Sequence, residues 1–190
     1  MARMEATKDF RPFKFRIQSF TNAFSEELAR HGMDEEEVPL KKVRQYLWTQ
    51  PYISRFNDEG KKAKSKGNHV WMVEGKKDPE CEWIFKAFER RILPERPAPT
   101  ATPGRVWSYK PHVWDPQQPS ASISVQFSSP DLPSWLSWND GTLSGVPTEG
   151  DFGGKIIVRA SFTVAGKNGE LEKSFEVEVG PEEEEEEEDD

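Results

Sequence analysis

Apolar residues along the first ninety positions recur at helical spacing and then change to strand-like density. Ile17, Phe20, Phe24 and Leu28 lie three to four apart in IQSFTNAFSEELARHG, and Gly32 follows where a left-handed stop belongs, so a helix is predicted there. A second helix is predicted from Pro39, a first-turn residue, with Leu40, Val43, Tyr46 and Leu47 on its apolar stripe. A third, short one is predicted from Pro51 with Ile53 and Phe56. HVWMVEGKK (residues 69–77) and EWIFKAFERRI (82–92) are then dense in Val, Trp, Ile and Phe, and the turn-like KKDPEC lies between them. Three helices followed by a two-stranded hairpin is the element order of a winged helix.

Beyond residue 104 the pattern is short apolar stretches separated by Pro, Gly and Asn: SISVQF, PSWLSW, GTLSGVP, GKIIVRASFTVA and KSFEVEVG. Ile156, Val158, Ala160, Phe162 and Val164 alternate, as do Phe175, Val177 and Val179, and Gly166-Lys167-Asn168-Gly169 offers a hairpin turn between them. Several short strands at this spacing predict a β-sandwich. Between the halves, PERPAPTATPG (94–104) lacks every large apolar residue and predicts an extended linker. The expected organisation is therefore a two-module α+β chain. It has a flexible N-terminus (1–12), a winged-helix-like domain (13–93), a Pro-rich linker (94–104), an all-β Ig-like sandwich (105–180) and a disordered acidic tail (181–190).

The run LPSWLSWNDGTLSGVPTEGDFGGKIIVRAS (132–161) resembles the Ig domains related to the dystroglycan-type cadherin-like domains. Leu132, Pro133, Trp135 and Leu136 match that family's opening, Gly141 its turn, Leu143, Ser144, Gly145 and Pro147 its Leu-Ser-Gly-x-Pro step, and Gly153 its Gly-rich entry to a long strand. The resemblance implies an interaction module with no catalytic site, in which Trp135, Leu136, Leu143, Gly145 and Pro147 are structural. Calcium binding is not carried over, because residues 94–104 hold only Glu95 where a cadherin-type junction needs clustered carboxylates.

Charge changes the picture. The formal net charge is -8, but residues 182–190 are all Asp or Glu and account for the whole excess. Residues 1–100 hold 20 Lys/Arg against 16 Asp/Glu, and 101–181 hold 6 against 9, so the basic half comes first. Lys61, Lys62, Lys64 and Lys66 in KKAKSKG, with Lys76 and Lys77, form the run that phosphate binding requires, and Arg55 on the expected third helix is placed to read a major groove. A solvated loop or a nuclear-localisation signal explains KKAKSK equally well. The carboxylate tail is consistent with nucleic-acid mimicry, with a contact for basic partners, or with a role in solubility alone.

Other signals are weaker. GDFGGK (150–155) lacks the Gly and Ser/Thr of a phosphate loop, since Glu149 and Ile156 stand there. His31, His69 and His112 fall in separate elements without ligand spacing, so neither metal nor other cofactor is expected. Cys81, the one cysteine, has no base suggested beside it. It also forbids an intrachain disulfide and points to the nucleus or cytoplasm. No stretch has the length of a signal peptide or a membrane span, so neither secretion nor a membrane partner is expected. Among seven tryptophans, Trp107 and Trp114 are candidates for joining the modules, and a carbohydrate platform is the minor alternative. The expected function is a non-enzymatic, nuclear, chromatin-associated protein, acting in transcription regulation through duplex DNA and protein partners. The alternative is a protein-protein interaction adaptor without DNA contact.

Overall fold

The computed structural model describes residues 9–80 and 82–181. Residues 182–190 of the expected tail, Cys81 and the first eight residues of the expected flexible N-terminus lie outside them. The chain divides into two units: Met1–Arg90 with Trp114–Ala121, and Arg91–Val113 with Ser122–Asp190.

In the first unit, β1 (Arg11–Arg16) leads directly into α1 (Ile17–Arg30), followed by α2 (Leu40–Trp48), β2 (Lys64–Ser65), β3 (Asn68–Lys77) and β4 (Trp83–Lys86). α1 forms where the apolar spacing predicts it and stops at Gly32, whose φ of 83° admits Met33 N to bond the Leu28 carbonyl at 3.0 Å. Phe20, Phe24 and Leu28 pack against the buried Val43, Leu47, Ile53, Trp71 and Val73. β3 is the spine of the sheet: β1 pairs along it antiparallel, and β2 and β4 pair antiparallel at its two ends. β2 and β3 are joined through Lys66 and Gly67, both at positive φ (47° and 83°), the conformation of a two-residue primed turn.

This overturns the winged-helix expectation. The described residues contain two α-helices and are mostly strand. The stretch from Pro51 is extended: Ser54 bridges to Met72 and Phe56 to Lys62. Ile53 and Phe56, three apart, fit a helical stripe, but both are buried by a chain that turns and pairs with β3, so tertiary pairing overrides the local pattern. The expected second hairpin strand also breaks: β4 ends at Lys86, and β5 (Arg91–Leu93) belongs to the second unit. Arg11 and Pro12, expected in a flexible terminus, are part of β1.

The segment Trp114–Ala121 completes the first unit from a distance in sequence. Trp114 is 1% exposed, donates Nε1–H to the Asn57 carbonyl at 2.7 Å and meets Phe88 edge-on at 5.8 Å. Arg55 N donates to the Pro116 carbonyl at 2.8 Å, and Gln117 Nε2 to the Gln50 carbonyl at 2.7 Å. Asp115, nearly fully buried, accepts from Arg90 Nε and from Gln117 N.

The second unit continues from β5 through β6 (Thr100–Ala101), β7 (Trp107–Tyr109), β8 (His112–Trp114, its last residue in the first unit), β9 (Ser124–Ser128), β10 (Leu136–Asn139), β11 (Thr142–Gly145), β12 (Gly154–Val164) and β13 (Lys167–Val179). Its sheets run β10-β11-β7, β6-β13-β12-β9 and β5-β8. Alternate residues of β12, Ile156 to Val164, enter one core with Trp107, Tyr109, Leu136, Leu143 and Val177. The β12–β13 hairpin closes through Ala165 and Gly166, at φ 48° and 76°, one step earlier than the expected turn, and Gly169 lies inside β13. The Pro-rich stretch 94–104, expected to be a linker, contains β6, which pairs parallel to β13. Ala101 is buried, and the Ala98 carbonyl accepts Trp107 Nε1–H at 2.9 Å.

Candidate nucleic-acid interface

The sheet of the first unit concentrates positive charge. β1, β3 and β4 carry six cations, Arg11, Lys14, Arg16, Lys76, Lys77 and Lys86, and one carboxylate, Glu74, which Lys86 pairs at 3.8 Å. Register sorts them between faces. Residues directly opposite share a face, so Lys14 and Arg16, opposite Met72 and Val70, lie on one side with Lys76 and Lys86. Lys14 and Arg16 are two residues apart on an exposed strand, roughly 7 Å. Phe10 continues this edge, with Lys76 Nζ 5.1 Å from its ring.

The other face holds Phe13, Phe15, Trp71, Val73 and Gly75, with Phe85 opposite Gly75 and Trp83 opposite Lys77. The two helices cover its Trp71 end, where Phe20 meets Trp71 at 6.0 Å. At the far end Trp83 and Phe85 are 43% and 47% exposed, with rings 15° from parallel and 6.3 Å between centroids. Phe13 abuts Trp83 edge-on at 5.3 Å. Gly75 makes room for this pair: a Cβ there would meet Phe85 at 3.2 Å.

Of the residues expected to contact DNA, Lys61, Lys62, Lys64 and Lys66 are all exposed on the β2–β3 hairpin and the loop before it. Lys61 pairs with Glu59 at 2.9 Å. Lys76 and Lys77 are half-buried at the opposite end of β3, about 30 Å away along the strand. The structure thus gives two basic clusters where the sequence suggested one. Arg55 joins neither. Its guanidinium lies 4.3 Å over Trp48 and bonds the Gln117 carbonyl, and burial pulls its pKa below the usual arginine value against the opposing pull of Asp115. A side chain so held cannot reach a base edge.

Sequence reading missed Arg11, Lys14 and Arg16, together with Trp83 and Phe85. The alternation of cation and phenylalanine in RPFKFR was the available signal.

In the second unit, Leu136, Leu143 and Pro147 are buried and Trp135 half-buried, its Nε1–H bonding the Phe152 carbonyl at 3.1 Å. Gly145 lies under Trp135, whose carbonyl oxygen would stand 1.7 Å from a Cβ. Residues 150–155 line an open cleft of about 520 Å³ with Asp131, Leu132, Pro133 and Ser134. There Asp151 accepts from Thr148 N and Oγ1 at 2.7 and 2.8 Å, bonds that hold its carboxyl below the usual range. This is a turn closed by its own side chain. Trp107 and Trp114 are buried, each within its own unit. Among the described residues no group of His, Asp and Glu is arranged to hold a metal ion, and no helix is long and apolar enough to cross a membrane.

Fold and site together define a mostly β, two-unit chain whose first unit presents a basic sheet with exposed aromatic rings. No family model matches the chain, so the dystroglycan-type resemblance rests on the residues quoted for it. No curated protein matches it. Among solved structures, an endo-fucoidan hydrolase from glycoside hydrolase family 107 aligns with 62% of this chain and 22% of that one, at 12% identity and a TM-score of 0.29. This chain spans less than a quarter of that protein, and a likeness at that score carries no argument about fold or activity.

Proposed function

We propose that this chain is a non-enzymatic nucleic-acid-binding protein that grips phosphates with the sheet of its first unit, consistent with a nuclear, chromatin-associated role. The observation that carries the reading is the imbalance of six cations to one paired carboxylate on β1, β3 and β4. The exposed lysines of the β2–β3 hairpin add a second, separate basic cluster at the other end of β3. Nucleic acid is a dense line of phosphates, and each one neutralised releases condensed counterions, so such a surface binds with a steep salt dependence.

The test is a salt titration of the full chain against labelled nucleic acid, beside the triple variant K14A/R16A/K76A. Four or more phosphate contacts give a slope of log K against log salt of about -3 or steeper. Each cation removed flattens it by about 1. Absence of affinity at about 50 mM salt, or an unchanged slope in the triple variant, overturns the reading. That result would leave the adaptor alternative, to which the second unit brings exposed apolar residues, Val106, Val146 and Phe152, at 75%, 46% and 83% exposure.

A further inference from the structure

Three consecutive large apolar residues, Trp83, Ile84 and Phe85, are each more than 40% exposed on β4, and among the described strands β4 pairs only with β3. Left bare, such an edge is an aggregation hazard and marks a surface that something covers. Around it stand cations: Arg11 and Lys77 on the face of the rings, and Lys14, Arg16, Lys76 and Lys86 on the reverse. A rim of this sign disfavours a basic or neutral polypeptide and favours a polyanion with flat apolar parts.

Resting on the nucleic-acid reading, we propose that this ledge is a stacking platform for a single strand, with bases on Trp83 and Phe85 and phosphates on Arg11 and Lys77, the cations that share their face. The geometry discriminates between strand states. Duplex bases are stacked on one another and present only their edges, so exposed rings gain nothing from a duplex, whereas an unpaired base has a free face for every ring it meets. The rings are pre-set: Phe13 abuts Trp83, the absent Cβ of Gly75 seats Phe85, and the two rings lie 15° from parallel. Arg55, the one residue the sequence offered for duplex base reading, is withdrawn into its own unit. Asp78, Glu80 and Glu82 stand in the turn just before Trp83 and repel phosphates on that side. The strand therefore leaves the ledge across β1, over Arg11. Such platforms tolerate any sequence, because every base has a π-face.

The experiment measures fluorescence anisotropy of a labelled oligothymidylate of about 20 nucleotides, longer than the ~4–16 that a small module covers, and of a duplex of equal length, both with the full chain. Three Trp83 variants are compared. Trp83→Ala removes the ring, Trp83→Leu removes it while keeping apolar contact with Phe13, so the fold is retained, and Trp83→Phe keeps a ring. The expected result is tighter binding of the single strand, weakened about tenfold by W83A and by W83L, largely kept in W83F, with duplex affinity unmoved by all three. If W83L binds the single strand as the parent does while K14A/K76A still weakens it, the stacking proposal is overturned and the phosphate-binding reading survives. If neither nucleic acid binds at low salt, both fall, and an added polypeptide strand on the β4 edge becomes the explanation of the ledge.

Discussion

Cutting the chain after residue 97, inside the Pro-rich stretch, is predicted to destroy the first unit although every helix and strand of its sheet is retained. The cut removes Trp114–Ala121, which the first unit holds as its own. Trp114 is 1% exposed, and losing a side chain of that size from a core costs about 3–5 kcal/mol. Also lost are the bonds from Trp114 Nε1 to Asn57, Arg55 N to Pro116, Gln117 Nε2 to Gln50, Arg55 Nη2 to Gln117 and Ser120 N to Gly60. At about 1 kcal/mol net each, the sum approaches 8–10 kcal/mol, allowing for incomplete additivity. A domain of this size has about 5–15 kcal/mol in all. The assay is urea unfolding followed by far-UV circular dichroism. Residues 1–97 should show no cooperative transition. Residues 1–121 should show one, lowered by about 3 kcal/mol for closing the unsupported 91–113 segment. A cooperative transition of 1–97 with the midpoint of 1–121 would refute the reasoning. Binding tests therefore need the full chain, since a fragment cut at the apparent linker is expected to present no sheet.

Two further expectations concern the second unit. Gly145→Ala places a Cβ 1.7 Å from the Trp135 carbonyl oxygen, backbone that cannot swing aside, so a loss of about 3 kcal/mol is expected in thermal unfolding; an unchanged midpoint would show that the β10–β11 pair is looser than described. Burial pushes Tyr109, 2% exposed, up to about 12, and its hydroxyl donates to the Pro94 carbonyl at 2.8 Å. Because the folded pKa lies above the unfolded value near 10, the folded state holds the proton longer. Stability should therefore fall as pH rises from about 10 to 12, by at most ~2.7 kcal/mol. Tyr109→Phe should remove that part of the alkaline loss at small cost near neutral pH, since Lys173 Nζ still donates to Pro94 at 3.1 Å, and an identical alkaline profile in the variant would contradict the assignment.

What the sequence disclosed, and what it hid, follows the range of the interactions involved. α1 and α2 were legible because Phe20, Phe24 and Leu28, and Val43 and Leu47, lie within a turn or two of each other, and Gly32 marks its stop locally. The alternation of β12 was legible for the same reason. The third helix was misread because Ile53 and Phe56 satisfy a helical stripe as well as they satisfy a turning chain, and only the pairing of Ser54 with Met72 decides between them. Trp114–Ala121 gave no local sign of its unit, because its partners Asn57, Gln50 and Gly60 are more than fifty residues away. β1 was hidden in plain view: RPFKFR alternates correctly, but without flanking turn signals Arg11 and Pro12 read as a flexible terminus and residues 13–16 as the start of a helical domain, until β3 is there to pair with.

The site was harder than the fold because a lysine run and a basic surface are different things. KKAKSK is conspicuous in sequence, yet its lysines lie along one short hairpin beside Glu59, which pairs with Lys61. The stronger imbalance is scattered over β1, β3 and β4, and only the register brings Lys14, Arg16, Lys76 and Lys86 to one side. Near neutrality of the whole first half is then no argument against a polyanion partner. At physiological salt a charge is felt over about 8 Å, so carboxylates on α1 and in its following loop, such as Glu26, Glu27, Glu35 and Glu36, do not cancel strand cations farther away than that. The carboxylates that do count are those set against the strands themselves. Glu74 is tied to Lys86, and the acidic turn beside Trp83 would turn a strand bound as proposed toward β1.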